Sequence, residues 1–222
     1  MVAQEVIDMA SAQVNYHEKL SGTPVPDLYV KQNAYDGYAN WTMFHNDLAA
    51  HGVSQGTPWC GYFVYWCFYQ VLGQDFSATE DFLYNISNYG ACGGAVSEWA
   101  TVFGNEGLWH TSGYTPKPGD LVIFEDTGIP WSHVELVAGV DSWPTYINTI
   151  GGNTKQPWES GLENESQWVA ARTRYAPYTA GWHVKGYCEV LYDGTPSPGF
   201  LDEETLIMSA FLKKKKRMET WY

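Results

Sequence analysis

PWCGYFVYWCFYQVLG, residues 58–73, holds one plainly polar side chain, Gln70, between a proline and a glycine. A proline fixes φ and lacks an N–H, which costs nothing in a first helical turn, and a glycine readily ends a helix. The stretch therefore reads as a helix buried on nearly all sides. Cys60 falls in its first turn, where unpaired backbone N–H groups and the helix dipole favour an anion. A free thiol titrates near ~8.5, and a helix N-terminus with a nearby imidazolium lowers that by several units. The same N–H groups can hold the oxyanion formed when a thiolate attacks a carbonyl. Cys60 is thus a candidate nucleophile, and the competing reading is a small apolar core residue.

On the N-terminal side, residues 2–20 carry apolar side chains at roughly helical spacing and read as an amphipathic first helix. A long ordered loop rich in Pro, Gly, Asp and Tyr follows, ending in a short helical piece near Trp41 to Ala50. Asp36 and Asp47 lack the alternation of oxygen ligands seen in a calcium loop, and read as exposed loop carboxylates. Beyond the central helix, Asp81–Asn88 and Ala95–Phe103 are the best helical segments, with Cys92–Gly94 a turn. At PKPGDLVIF, residues 116–124, the pattern changes to a turn and a strand. WSHVELVAGV, TYINTIGGNT, WVAARTRY and HVKGYCEVLY continue it, each bounded by Gly, Pro, Asn or Asp. Helices first and an antiparallel meander after predict an α+β domain over residues 1–192. DGTPSPG, from Asp193, starts a linker, and residues 193–222 end in a short helical tail with acids first and bases last, as a helix dipole favours.

The chain of 222 residues suits one well-buried domain with a short appendage. Its formal charge of −13 argues against a nucleic acid partner, and no apolar run of membrane length is present, so no membrane insertion is expected. MVAQEVIDMA has neither a basic region nor a sustained apolar run, so the expectation is a protein made in the cytoplasm without a signal peptide. Cys60 and Cys67 share one helix seven residues apart, about 10 Å at ~1.5 Å rise per residue, too far for a disulfide. With Cys92 and Cys188 they form no CxxC or paired Cys/His pattern, which predicts reduced thiols and no metal site.

A cysteine nucleophile needs a base distant in sequence and close in space, and a polar group to hold that base in its useful tautomer. His133 opens a strand and is the best candidate base. Asn153, at the end of the next strand, can orient its ring. Taken alone, each is an ordinary strand or turn residue. Taken in order, PWCGYFVYWC at Cys60, PKPGDLVIF with Gly119 and Asp120, SHVELVAGV at His133 and INTIGGNT at Asn153 resemble the CHAP family of cysteine amidases and peptidases, part of the wider papain-like set.

The resemblance covers about residues 1–192 and implies a papain-like CHAP fold, N-terminal helices packed on a C-terminal antiparallel sheet. It implies that Cys60 attacks, that His133 is base and then acid, and that Asn153 falls on the orienting position. Many relatives carry an acid two positions before that asparagine, where this chain has Gly151. Glu135, which replaces a frequent glycine, lies on His133's strand face and can tune the imidazole or, with Trp59 and Trp131, line a substrate groove. No metal or other cofactor is implied. The implied partner is bacterial peptidoglycan, cut at the amide joining N-acetylmuramic acid to L-alanine or within its peptides by a monomer of the phage endolysin type, acting on the wall after release. Two other readings stand beside it: a noncatalytic wall-binding module, and a cysteine hydrolase of an amide outside the wall.

Overall fold

The computed structural model describes residues 1–111, 113–126, 129–141, 143–157, 167–176 and 182–192. The linker and tail expected over 193–222 lie outside the described residues. Helices fill the first half: α1 (Ala3–Ser11), α2 (Val25–Leu28), α3 (Met43–Asp47), α4 (Cys60–Val71), α5 (Phe76–Phe82) and α6 (Trp99–Asn105). The strands are β1 (Trp109–His110), β2 (Leu121–Asp126), β3 (Ile129–Gly139), β4 (Tyr146–Thr154), β5 (Trp168–Tyr175) and β6 (Trp182–Cys188). They form one sheet in the order β1-β6-β2-β3-β4-β5 with antiparallel pairings. The architecture is α+β, as the sequence predicts. Only β2 to β5 run as the expected meander, because β6 crosses back to pair with the free edge of β2.

The apolar run at 58–73 becomes α4. Pro58 lies just outside it, Trp59 is the N-cap residue, and the chain leaves at Leu72 with Gly73 at φ 73°. Phe63, Val64, Tyr65, Cys67 and Phe68 are all but inaccessible, so the helix is the core element about which α1, β3 and β4 pack. Burying each such large side chain is worth about 1.5–3 kcal/mol. A helix with so many of them has nowhere to sit except the centre.

Several local expectations are corrected. The first helix ends at Ser11; Asn15 turns at φ 72°, and His17 and Lys19 bridge to Trp168, Asp36 and Trp41, so tertiary pairing overrides the helical pattern beyond it. Asp36 and Asp47 are half-buried and engaged. Asp36 pairs with the fully buried Lys19 at 2.5 Å, and Asp47 accepts from Tyr29 Oη and from Trp66 Nε1. The helix after α4 starts at Phe76, earlier than read, because the Asp75 side chain accepts from the Ala78 N–H at 3.0 Å and caps it. β2 does not alternate between core and solvent. Leu121 and Ile123 join the main core, while Val122 and Phe124 join a second cluster on the opposite face with Val137, Ile147, Ala176 and Tyr187.

Candidate active site

Cys60 is the first residue of α4 and is almost fully buried. His133 lies on β3 opposite Phe124 of β2. By strand alternation it shares a face with Glu135 and Val137, the face of the second cluster, whereas Val134 and Leu136 face the main core that holds α4. Cys60, at the α4 N-terminus, and His133 hydrogen-bond to each other.

Burial pushes the Cys60 thiol up, but the charge of His133, its hydrogen bond and those from the Val134 and Gly61 N–H groups overcome this and hold the thiol below its ordinary value of 9. Burial pushes His133 down, and the Cys60 thiolate and Glu135 reverse this, raising the imidazole to about 9. The surroundings of the pair thus favour the thiolate and the imidazolium. Burial pushes the other three cysteines up, Cys92 to about 12 and Cys67 and Cys188 well above the ordinary value, so of the four only Cys60 has its thiol held below that value.

His133 Nε2 lies 3.1 Å from Glu135 Oε1. Of the two readings of Glu135, tuning the imidazole or lining a groove, the second is not met, because the side chain is fully buried. Its Oε2 accepts from Thr149 Oγ1 at 2.6 Å and from Arg174 Nε at 2.9 Å, and its Oε1 also accepts from Arg174 Nη2. Burial raises this carboxyl, and the Arg174 guanidinium, followed by His133, more than offsets that, holding it well below 4.5. Arg174 comes from β5, two strands away across β4. It lies over the Phe124 ring, 5.3 Å from its centroid, and donates to Thr154 Oγ1 at 2.9 Å.

Asn153 sits at φ 53° in the left-handed region that asparagine tolerates, and its Oδ1 accepts from the Trp59 N–H at 3.2 Å. It thereby ties the end of β4 to the residue immediately before Cys60. Trp59, expected to line a substrate groove, is instead fully buried. Its ring stacks on Phe44 at 5.4 Å, and its Nε1 donates to the buried Glu18 at 2.8 Å. Trp131 lies in the part of β3 whose side chains fall outside the described residues.

The two glycines before Asn153 let these parts meet. An added Cβ on Gly152 would stand 2.5 Å from Phe63 Cβ and 2.6 Å from the Trp59 ring, so β4 reaches α4 only without a side chain there. Gly119, at φ 99°, makes the turn into β2, and Asp120 locks that turn by accepting from the Lys117 and Val190 N–H groups and from Tyr114 Oη.

Arg174, Thr149 and Glu18 were not singled out from sequence. The available signal for Arg174 was an arginine on a strand whose neighbours are Ala170, Ala171 and Thr173, but its partner is about forty residues away and invisible to spacing.

Residues 52–153 match the family model of the CHAP domain, a span running from before Cys60 through His133 to Asn153. The match, just under half of the chain, supports a CHAP-domain family member. The chain's helices on a six-stranded antiparallel sheet are the α+β CHAP fold. No curated protein and no solved structure matches the chain. CHAP domains are generally cysteine- and histidine-dependent amidases or peptidases, and the substrate they imply is peptidoglycan. Among the described residues, no cluster of three or more His, Cys, Asp or Glu is arranged to hold a metal ion, and no helix is long and apolar enough to cross a membrane.

Proposed function

We propose that this protein hydrolyses an amide bond of bacterial peptidoglycan, with Cys60 as nucleophile and His133 as base and then acid. The observation that supports this most directly is the Cys60–His133 pair at the N-terminus of α4, whose surroundings favour thiolate and imidazolium. The thiolate attacks the scissile carbonyl carbon, and the oxygen gains charge beside the unpaired N–H groups of the helix start. Collapse breaks the C–N bond, His133 gives its proton to the leaving amine, and a thioester remains on Cys60. His133, now neutral, takes a proton from water as that water attacks the thioester, and the carboxylic acid leaves with the thiolate restored. Asn153 supports the geometry through the Trp59 backbone.

Purified walls from several bacteria, incubated with the wild-type protein and with Cys60→Ala, test this reading. New termini identified by mass spectrometry with wild type alone support it, and a freed L-alanine amine separates an amidase from a peptidase cutting within the peptides. No released termini from any wall, with the protein folded and Cys60 reduced, would refute it. Wall binding by both forms without hydrolysis would mark a binding module, and cleavage of non-wall amides alone would mark a different substrate.

A further inference from the structure

We propose that Glu135 is the positioning residue for His133, and that it fills the space a side chain on Gly151 would take, so that the orienting carboxylate is supplied from β3 instead of β4. This rests on the reading of Cys60 and His133 as nucleophile and base.

The geometry assigns one carboxylate site and two backbone positions that can reach it. An ideal Cβ on Gly151 lies 2.6 Å from Glu135 Cγ, 2.8 Å from its Oε1 and 2.9 Å from its Cδ. These separations are too short for both side chains to coexist. The missing side chain on β4 is thus the room in which Glu135 sits. Both of its oxygens are saturated there, Oε2 by Thr149 and Arg174, Oε1 by Arg174 and His133. An ionised carboxylate is acceptor-only, so the bond at Nε2 places a hydrogen on that nitrogen and leaves the other ring nitrogen to exchange a proton with Cys60. The charged groups seen to face His133 include Cys60 from α4 and Glu135 from its own strand, with Arg174 of β5 behind Glu135.

A merely structural Glu135, serving only to neutralise Arg174, would leave the chemistry of Cys60 indifferent to its charge once the fold is kept. Glu135→Gln keeps the shape and removes the charge, and because its NH2 must then face an Arg174 donor, the comparison is made on protein shown to be folded. Alkylation of Cys60 by iodoacetamide, followed by mass spectrometry across pH, reads the thiolate without any wall substrate. We expect the rate–pH profile of E135Q to move to higher pH by about one unit, an about tenfold slower reaction near neutrality. Wall hydrolysis should fall about a hundredfold in kcat with KM little changed.

The reciprocal exchange tests the shared space. Gly151→Asp and Gly151→Glu alone should lower thermal stability, because two carboxylates claim one site. In the Glu135→Ala background the same substitutions should raise both stability and the alkylation rate above those of E135A, a reversal of sign that independent sites would not give. Asp is included because the Cβ of residue 151 already reaches the carboxylate of Glu135. An unchanged alkylation profile in folded E135Q would overturn the positioning role. Folded E135A/G151D and E135A/G151E that both stay as impaired as E135A would overturn the shared site. Walls left intact by wild type, together with the expected alkylation shift in E135Q, would sink the wall-hydrolase reading and leave the role of Glu135 standing.

Discussion

Replacing Arg174 with methionine removes the guanidinium from Glu135 while keeping much of the side chain's bulk over Phe124. Glu135 has no access to solvent, and the charged partner left to it among the described residues is His133, which already faces the Cys60 thiolate. Breaking one side of a buried pair strands the other charge and costs about 3–5 kcal/mol. In a domain of this size each kcal/mol lowers Tm by about 2–4 °C, so the loss should be on the order of 6–20 °C. The cost carries a pH signature. In the wild type the depressed Glu135 pKa adds stability that is fully present above its ordinary value of 4.5 and is lost only as pH falls through the depressed folded value. Without Arg174, burial dominates and pushes the folded carboxyl above 4.5, so the charge destabilises the variant at neutral pH and the penalty shrinks as pH falls through the raised value. Urea denaturation followed by tryptophan fluorescence at about pH 7.5 and about pH 5 measures this, with the deficit of R174M expected to be larger at the higher pH. A deficit below about 1 kcal/mol at both, or one independent of pH, would refute the account of Glu135 as a charge held by Arg174.

Three further outcomes are expected. Gly152→Ala should cost about 1–3 kcal/mol by urea denaturation, since its methyl would meet Phe63 Cβ close to the backbone of α4, where no rotamer change relieves the clash, and a neutral result would deny the close approach of β4 to α4. Asn153→Ala loses both the bond to the Trp59 N–H and the tolerance for φ 53°, whereas Asn153→Gly loses only the bond; N153A should therefore be less stable than N153G by about 1 kcal/mol, and the reverse order would contradict the left-handed conformation. Wall hydrolysis should give a bell-shaped pH profile in kcat/KM. It rises as Cys60 loses its proton below its ordinary value of 9 and falls as His133, raised to about 9, loses the proton due to the leaving amine; activity that keeps climbing well above that pH would exclude His133 as the acid.

The central helix was legible because its composition leaves no alternative: an apolar stretch between Pro58 and Gly73 can only be a buried helix, and that places Cys60 at an N-terminus. The strands were legible from alternation and punctuation, and the family from four motifs in order, since each of these is a local property of the chain. The limits of α1 and α5 were less so. Helical periodicity continues past Ser11 while the backbone is captured by pairing with distant residues, and the capping role of Asp75 shows only once the turn forms.

Sequence alone also put a glycine at 151, where the family resemblance implies an acid in many relatives, and placed Glu135 on the same strand face as His133. It left open whether that carboxylate faces a groove or a core. Tertiary structure decided it, because pairing β3 with β4 and β4 with β5 brings His133, Thr149 and Arg174 around one buried oxygen pair and leaves the space above Gly151 for Glu135 to occupy. Local pattern fixes which way a side chain points along a strand, whereas the charge that meets it comes from chain about forty residues away, and only the closed sheet brings the two together.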